Sequence, residues 1–294
     1  MKTRRKFLKH SSYLAAGSMI LPLGCTSKKP ETAQTITEEV VESLPKDKEM
    51  GVQVYSVRDA LKEDFEGSVK KIADIGFKYI EAYGLDTEGT INGMSPEDYS
   101  SVVASNGMKI ASTHCGYFQA EEGGKLIEAA LTADIPHVMI AYLNEEDRDY
   151  HKVAENLNKI GVIAKEAGLL FGYHNHDWEF EKKGNEVGLE VLLNETEPDL
   201  VSFQLDLYWA VKGGVDPVTF IEKHPGRFCS FHVKDAAEDL KQTTVGTGII
   251  DFESIFNIKA KAGISRFFVE DERTEDPFGN IEGAFNYLNQ AEFI

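Results

Sequence analysis

Cysteine is scarce in this chain. There are three in 294 residues, Cys25, Cys115 and Cys229, and none stands in a C-x-x-C pair. That excludes a disulfide-stapled mini-protein and a paired-thiol metal motif. Positive charge is also short: Lys and Arg number 31 against 49 Asp and Glu, a net charge of −18. A surface that negative repels phosphate backbones, so no nucleic-acid partner is expected. No G-x-G-x-x-G follows the first strand-like run, and Gly246-Thr247-Gly248 is too short for a P-loop. The remaining composition is ordinary and globular, 42% hydrophobic and 27% charged, which excludes disorder and collagen. The length allows one large domain or two small ones.

The basic residues are unevenly placed. Residues 1–24 hold Lys2, Arg4, Arg5, Lys6 and Lys9 and no acid, leaving −23 for the rest. A basic start followed by the mildly apolar 11–24 stretch reads as an export signal, too short to span a bilayer. Arg4-Arg5-Lys6-Phe7-Leu8 resembles a twin-arginine signal, and Leu21-Pro22-Leu23-Gly24-Cys25 resembles a lipoprotein box, with Pro22 departing from its pattern. The expectation is a signal peptide over 1–24, a lipid anchor at Cys25, a polar linker over 25–47 and a periplasmic or envelope location. Membrane contact is expected only through that anchor. The other two cysteines read as buried strand thiols, or as a bridge if the fold joins them.

From residue 50 the chain alternates short β-rich runs with longer helical ones. Strands are predicted at Gly51–Val57, Tyr79–Tyr83, Lys109–Cys115, His137–Tyr142, Leu169–Asn175, Val201–Asp206, Phe228–Lys234 and Arg266–Glu270. Ser95-Pro96 and Asp216-Pro217 read as helix starts, a capping side chain before proline at the first helical position. Eight β/α units over 48–294 predict a single-domain α/β fold, a (β/α)₈ TIM barrel. A doubly wound open sheet usually has fewer strands and a Gly-rich first turn. The segments 177–187 and 236–251 fall outside the pattern and read as loops at the barrel mouth, free to close the site or to contact a second copy in a homo-oligomer.

Side chains alternate across a strand, so every second residue of a barrel strand points inward. One face of Val201–Asp206 is Ser202, Gln204 and Asp206. One face of Phe228–Lys234 is Ser230, His232 and Lys234. Glu270 ends the last strand, His174 the fifth, with His176 beyond it. Glu81 and His114 face inward from the second and third. Glu81, Asp206 and Glu270 together without a cation would repel strongly in a low-dielectric pocket. One divalent metal removes that cost, and mixed imidazole and carboxylate donors suit Mn²⁺, Zn²⁺, Co²⁺ or Fe²⁺.

Several local motifs carry a family likeness: Val54-Tyr55-Ser56-Val57-Arg58-Asp59, Gly172-Tyr173-His174-Asn175-His176-Asp177, Leu205-Asp206, Phe231-His232-Val233-Lys234-Asp235, Val245-Gly246-Thr247-Gly248 with Asp251, and Val269-Glu270. In this order the chain resembles the xylose-isomerase-like barrels of sugar isomerases and epimerases. The resemblance implies one divalent metal held from the fifth to the eighth strands. Asp206, His232 and Glu270 match the last three ligands. At the first, where relatives carry Glu, this chain has His174, with His176 competing. The nuclease branch of the family needs more histidines and a surface that accepts DNA, and neither is evident.

Such enzymes remove a proton next to a carbonyl, so a base must stand beside that carbon. The resemblance makes Glu270 one candidate, with Glu81, His114 and His176 as others. Lys234 could donate to an oxyanion, or pair with Asp235. Tyr55, Arg58, Tyr117, Tyr208, Trp209 and Phe278 could wall a sugar, although Arg58 could instead pair with Asp59 or Asp64. The expected activity is a metal-dependent isomerase or epimerase acting on a small, non-phosphorylated sugar. The resemblance also implies an alternative, a 3-keto-glycoside lyase or hydrolase working by β-elimination at the same metal site, and a non-catalytic sugar-binding lipoprotein is the alternative of another class.

Overall fold

The computed structural model describes residues 50–294. The basic leader, Cys25 and the linker lie outside the described residues. Eight strands close into a parallel barrel in chain order: β1 Gly51–Gln53, β2 Tyr79–Leu85, β3 Lys109–Gly116, β4 His137–Tyr142, β5 Leu170–His174, β6 Ser202–Asp206, β7 Phe228–Val233 and β8 Arg266–Val269. Each strand pairs with its sequence neighbour, and β1 pairs with β8 through Gly51 opposite Phe268. One main helix follows each strand: α1 Phe65–Ile75, α2 Pro96–Ser105, α3 Gly124–Thr132, α4 Tyr150–Glu166, α5 Gly188–Glu195, α6 Pro217–Lys223, α7 Phe252–Asn257 and α8 Pro277–Gln290.

The helix starts follow the capping chemistry. Ser95 accepts the Asp98 amide at the head of α2, and Asp216 accepts that of Thr219 at the head of α6. On α4, Tyr150, Val153, Leu157, Ile160 and Ala164 are buried along one face. Strand residues alternate as read. Phe203, Leu205, Phe231 and Val233 are buried outside the barrel, and Phe231 meets Phe256 of α7 at 5.9 Å. Inside, the lower end is plugged by Tyr79, Ala111 and Phe268. Gly172 of β5 sits in a tight place: a Cβ there would lie 2.6 Å from the Ser202 carbonyl and 2.8 Å from Met139 Sδ.

Two expectations need correction. The first strand stops at Gln53, and Val54–Val57 is a 3₁₀ turn. Gln53 Oε1 accepts the Tyr55 amide and the Ser56 hydroxyl donates to the Gln53 carbonyl, turning the backbone despite its β-rich composition. The mouth segments are not wholly loops: each folds a two-stranded hairpin, Lys182–Lys183 with Glu186–Val187, and Asp235–Ala236 with Gln242–Thr243. Cys115 and Cys229 are free thiols in β3 and β7, as the strand-thiol reading has it, Cys115 buried and Cys229 partly so.

Candidate metal centre

At the C-terminal end of the barrel, His174, Asp206, His232 and Glu270 come from β5, β6, β7 and the residue after β8. One donor atom from each lies within 4.8 Å of the others, and all four residues are buried. Two imidazoles and two carboxylates at that spacing match the coordination sphere of one divalent ion with bonds of about 2 Å. The donor set therefore fits the metal that the fold implies.

The surroundings orient each donor. Asp206 Oδ1 accepts the Trp209 amide at 2.9 Å and so caps the short helix Leu207–Lys212, which leaves Oδ2 facing inward. Asn175 Oδ1 accepts the Asp206 amide at 3.1 Å. His174 turns Nδ1 to the Ala141 carbonyl at 3.5 Å and Nε2 to Asp206 Oδ2 at 3.2 Å. His232 meets Glu270 through Nδ1 at 2.8 Å and Glu81 through Nε2. Such carboxylate–imidazole pairs fix the tautomer and orientation of metal-binding histidines.

Charge inside the cluster is closely matched. Burial favours neutral His232, but Glu270 and Glu81 outweigh it and raise its pKa well above the ordinary value. Burial, then His232, lowers His174 to about 4. Lys234 is 1% exposed. Its Nζ lies 3.0 Å from Asp206, 2.6 Å from Glu270 and 2.5 Å from Glu272. Burial opposes its charge, yet Asp206 and Glu270 keep it protonated far above the usual range. Burial also opposes the Glu270 carboxylate, and Lys234 and His232 reverse that and lower its pKa.

The sequence-derived roles divide here. His174, Asp206, His232, Glu270 and Lys234 converge. Glu81 and His114 sit beside this layer, bound to each other and to amides. Glu81 is fully buried and accepts from Gln53 at 3.0 Å and Gln204 at 2.9 Å, besides contacting His232 and His114. With both oxygens engaged and no exposed edge, Glu81 supports His232 and is not placed as a base. His114 Nε2 bonds Gln204 Oε1 at 2.8 Å. His176 does not share the ligand set. Its ring stacks on Trp178 at 4.2 Å and 5.0 Å from the His174 ring.

Two ion-pair expectations fail. Lys234 turns away from Asp235, because Asp206, Glu270 and Glu272 surround it. Asp235 instead accepts the amides of Ala236, Gly246, Gly248 and Ile250 at 2.8–3.2 Å. Arg58 donates to the Tyr55 and Glu272 carbonyls and lies over the Tyr55 ring, while Asp59 pairs with Lys62 and Asp64 caps α1. Tyr55 is 39% exposed at the mouth, and Trp209 is half-buried beside Lys234. Gln53, Asn175, Gln204 and Glu272 were not singled out from sequence. Gln204 shares the inward face of Asp206, a signal that was there to use. Glu272 lies beyond the strand, where alternation says nothing.

A family model described as xylose isomerase-like TIM barrel matches residues 69–291. The chain belongs to that family. Among solved structures, a sugar phosphate isomerase/epimerase from Parabacteroides distasonis superposes with a TM-score of 0.75 at 29% identity, covering 86% of this chain and 97% of the other. The IolI protein with a bound zinc atom shares the fold, with a TM-score of 0.61 at 15% identity, over 82% and 96% of the two chains. An inosose dehydratase from Bacillus cereus is 28% identical over 167 residues, 50% of this chain and 54% of its own. A Clostridium tetani protein of the same name is 29% identical over 174 residues, 53% and 56%. The chain thus spans about half the length of these curated relatives. Proteins similar to this chain thus carry the names sugar phosphate isomerase/epimerase and inosose dehydratase.

Proposed function

We propose that this xylose isomerase-like barrel is a divalent-metal-dependent sugar isomerase or epimerase that removes a proton next to a carbonyl. The observation that supports it most is the convergence of His174, Asp206, His232 and Glu270 around one point with the Lys234 ammonium beside them. When bound, a divalent ion would supply charge stabilisation for the two oxygens of an enediolate. In this reading Glu270, held ionised by Lys234 and His232, takes the proton from carbon. Lys234 donates a hydrogen bond to the carbonyl oxygen as negative charge develops there. Tyr55 and Trp209 wall the sugar and exclude water.

The substrate in this proposal carries no phosphate. Barrels commonly bind phosphate with the loops after the seventh and eighth strands. Here the amides of Gly246, Gly248 and Ile250 already serve the Asp235 carboxylate, and a Cβ at Gly248 would lie 2.3 Å from Asp235 Oδ1. An incoming phosphate would find these three donors engaged and a fixed negative charge.

A second reading, β-elimination from a keto-sugar or keto-glycoside, is supported by the dehydratase names among the relatives. Its first step is the same proton loss; the group on the next carbon then departs, and this reading assigns its protonation to Lys234. Two measurements test the proposal. The purified protein should hold about one divalent ion per chain, and candidate keto-sugars incubated in deuterated water should gain label. Label in an intact sugar supports isomerisation, and release of the leaving group supports elimination. No exchange from any keto-sugar would falsify both readings. We further propose that residues 1–24 export the chain and that Cys25 carries a lipid; a soluble, unlipidated Cys25→Ser form distinguishes this from simple secretion.

A further inference from the structure

One side of the mouth carries an aromatic wall that runs on from Trp209 into Tyr142, His176 and Trp178, which the proposed chemistry does not use. Tyr142 ends β4, His176 and Trp178 follow β5, and Trp209 lies in the short helix after β6, so the four come from three successive strand ends. His176 and Trp178 stack at 4.2 Å with 8° between their planes, and the Arg148 guanidinium covers the indole's other face at 4.2 Å. The Tyr142 ring stands edge-on to both, 5.8 Å from His176 and 5.4 Å from Trp178. Trp209 meets His176 at 5.4 Å. The wall adjoins the ligand cluster, since the His174 and His176 rings are 5.0 Å apart and Lys234 Nζ is 5.4 Å from the Trp209 ring.

Packing alone does not account for this wall. Tyr142 leaves 47% of its surface exposed at a strand end, where burial gives it little stabilisation. His176 Nδ1 and Trp209 Nε1 are buried with no hydrogen-bond partner among the described residues. Buried polar atoms without partners are uncommon, and they mark places where a ligand or water completes the bonding. A pyranose ring has the complementary surface: an apolar C–H face for the phenol ring, and hydroxyls to accept from an indole N–H or bond an imidazole nitrogen.

We propose that this wall is a second sugar-binding subsite. It takes a pyranose ring glycosidically linked to the sugar that reacts at the ligand cluster, so the substrate is a glycoside larger than a free monosaccharide. This rests on the reading of the cluster as a sugar-processing centre, but its test needs no turnover. Trp178 and Trp209 are the two tryptophans of the chain, so intrinsic fluorescence reports on this wall directly. The metal-loaded protein is titrated with cellobiose, maltose and glucose. A saturable change with at least one disaccharide, at an affinity about tenfold or more above that for glucose, and weakened about tenfold by Tyr142→Ala, is the expected result. Equal response to glucose and both disaccharides, no saturable response to either disaccharide, or full affinity retained in Tyr142→Ala overturns the subsite. Disaccharide binding without any turnover of keto-disaccharides keeps the subsite and removes the proposed activity, so the two failures are distinct.

Discussion

Glu81 holds His232 from the side opposite Glu270, so the imidazole is clamped between two carboxylates of unlike duty. One is a candidate ligand and the other never reaches the mouth. Replacing Glu81 with Gln keeps the shape and removes the charge that orients the ring. Affinity for the divalent ion should fall about 10- to 100-fold, read by competition with a chromogenic chelator. Unchanged affinity would show that the clamp is idle. His232→Ala should abolish stoichiometric metal altogether.

Lys234 shares oxygens of Asp206 and Glu270 with whatever ion sits there. Lys234→Met removes a competing cation and should tighten metal binding, by about tenfold. Turnover should nonetheless drop by about a hundredfold or more, because the donor to the developing oxyanion is gone. Metal affinity and kcat therefore move in opposite directions, and a parallel loss of both would reject the assigned role.

Asn175 supports the centre through the backbone. Asn175→Ala leaves the buried Asp206 amide without its acceptor, a loss of about 1–3 kcal/mol. Urea unfolding should show it, with metal affinity falling as Asp206 loosens. An Asn175→Asp variant retains an acceptor and should recover most of the stability.

His137 gives the barrel an acid limit. It is 9% exposed near the plugged end, with Nε2 3.2 Å from the Ser202 hydroxyl. Burial lowers its pKa to about 4, the nearby Glu81 pulling the other way. In the unfolded chain the same group titrates near 6.5. Below that value the unfolded state therefore binds the extra proton first. The stability associated with neutral His137 is complete above about pH 6.5 and is lost as pH falls towards 4, a total of about 3 kcal/mol. His137→Asn should flatten that part of the pH profile of the urea midpoint. A variant with the parent's slope would place the acid sensitivity elsewhere.

Gly172→Ala tests how tightly the strands are set. The added methyl has no room beside Ser202 and Met139, so about 1–3 kcal/mol of overpacking is expected. Because His174 lies two residues along β5, the ion should be held less firmly too. Calorimetric melting with and without added metal separates the two effects.

The barrel was legible because its signals are local and repeated. Alternation along Val201–Asp206 and Phe228–Lys234 put Asp206, His232 and Lys234 on the inner face, and the structure places them there. Chain turns decided by single side chains were harder to read. Gln53 ends β1 with its own amide oxygen, and no periodicity announces that. Partners across the barrel were also out of reach. The choice of Lys234 for Glu272 over its neighbour Asp235 depends on which strand ends meet, information that lies 38 residues away. Glu81 looked like a base because its strand position is right; only the amides of Gln53 and Gln204 around it show that its lone pairs are engaged.

The order of strands around the barrel splits the centre along the chain. Gln53, Glu81 and His114 all come from the first three strands and form the supporting floor, while every proposed ligand comes from β5 onward, the last just past β8. The early half of the polypeptide can therefore tune how firmly an ion is gripped without touching it. The later half would supply every atom that touches it. The four candidate ligands lie on strands that pair with one another from β5 to β8, whereas Glu81 reaches His232 only across the closed barrel, so the closure of the first strands against the last completes the floor rather than the ligand set.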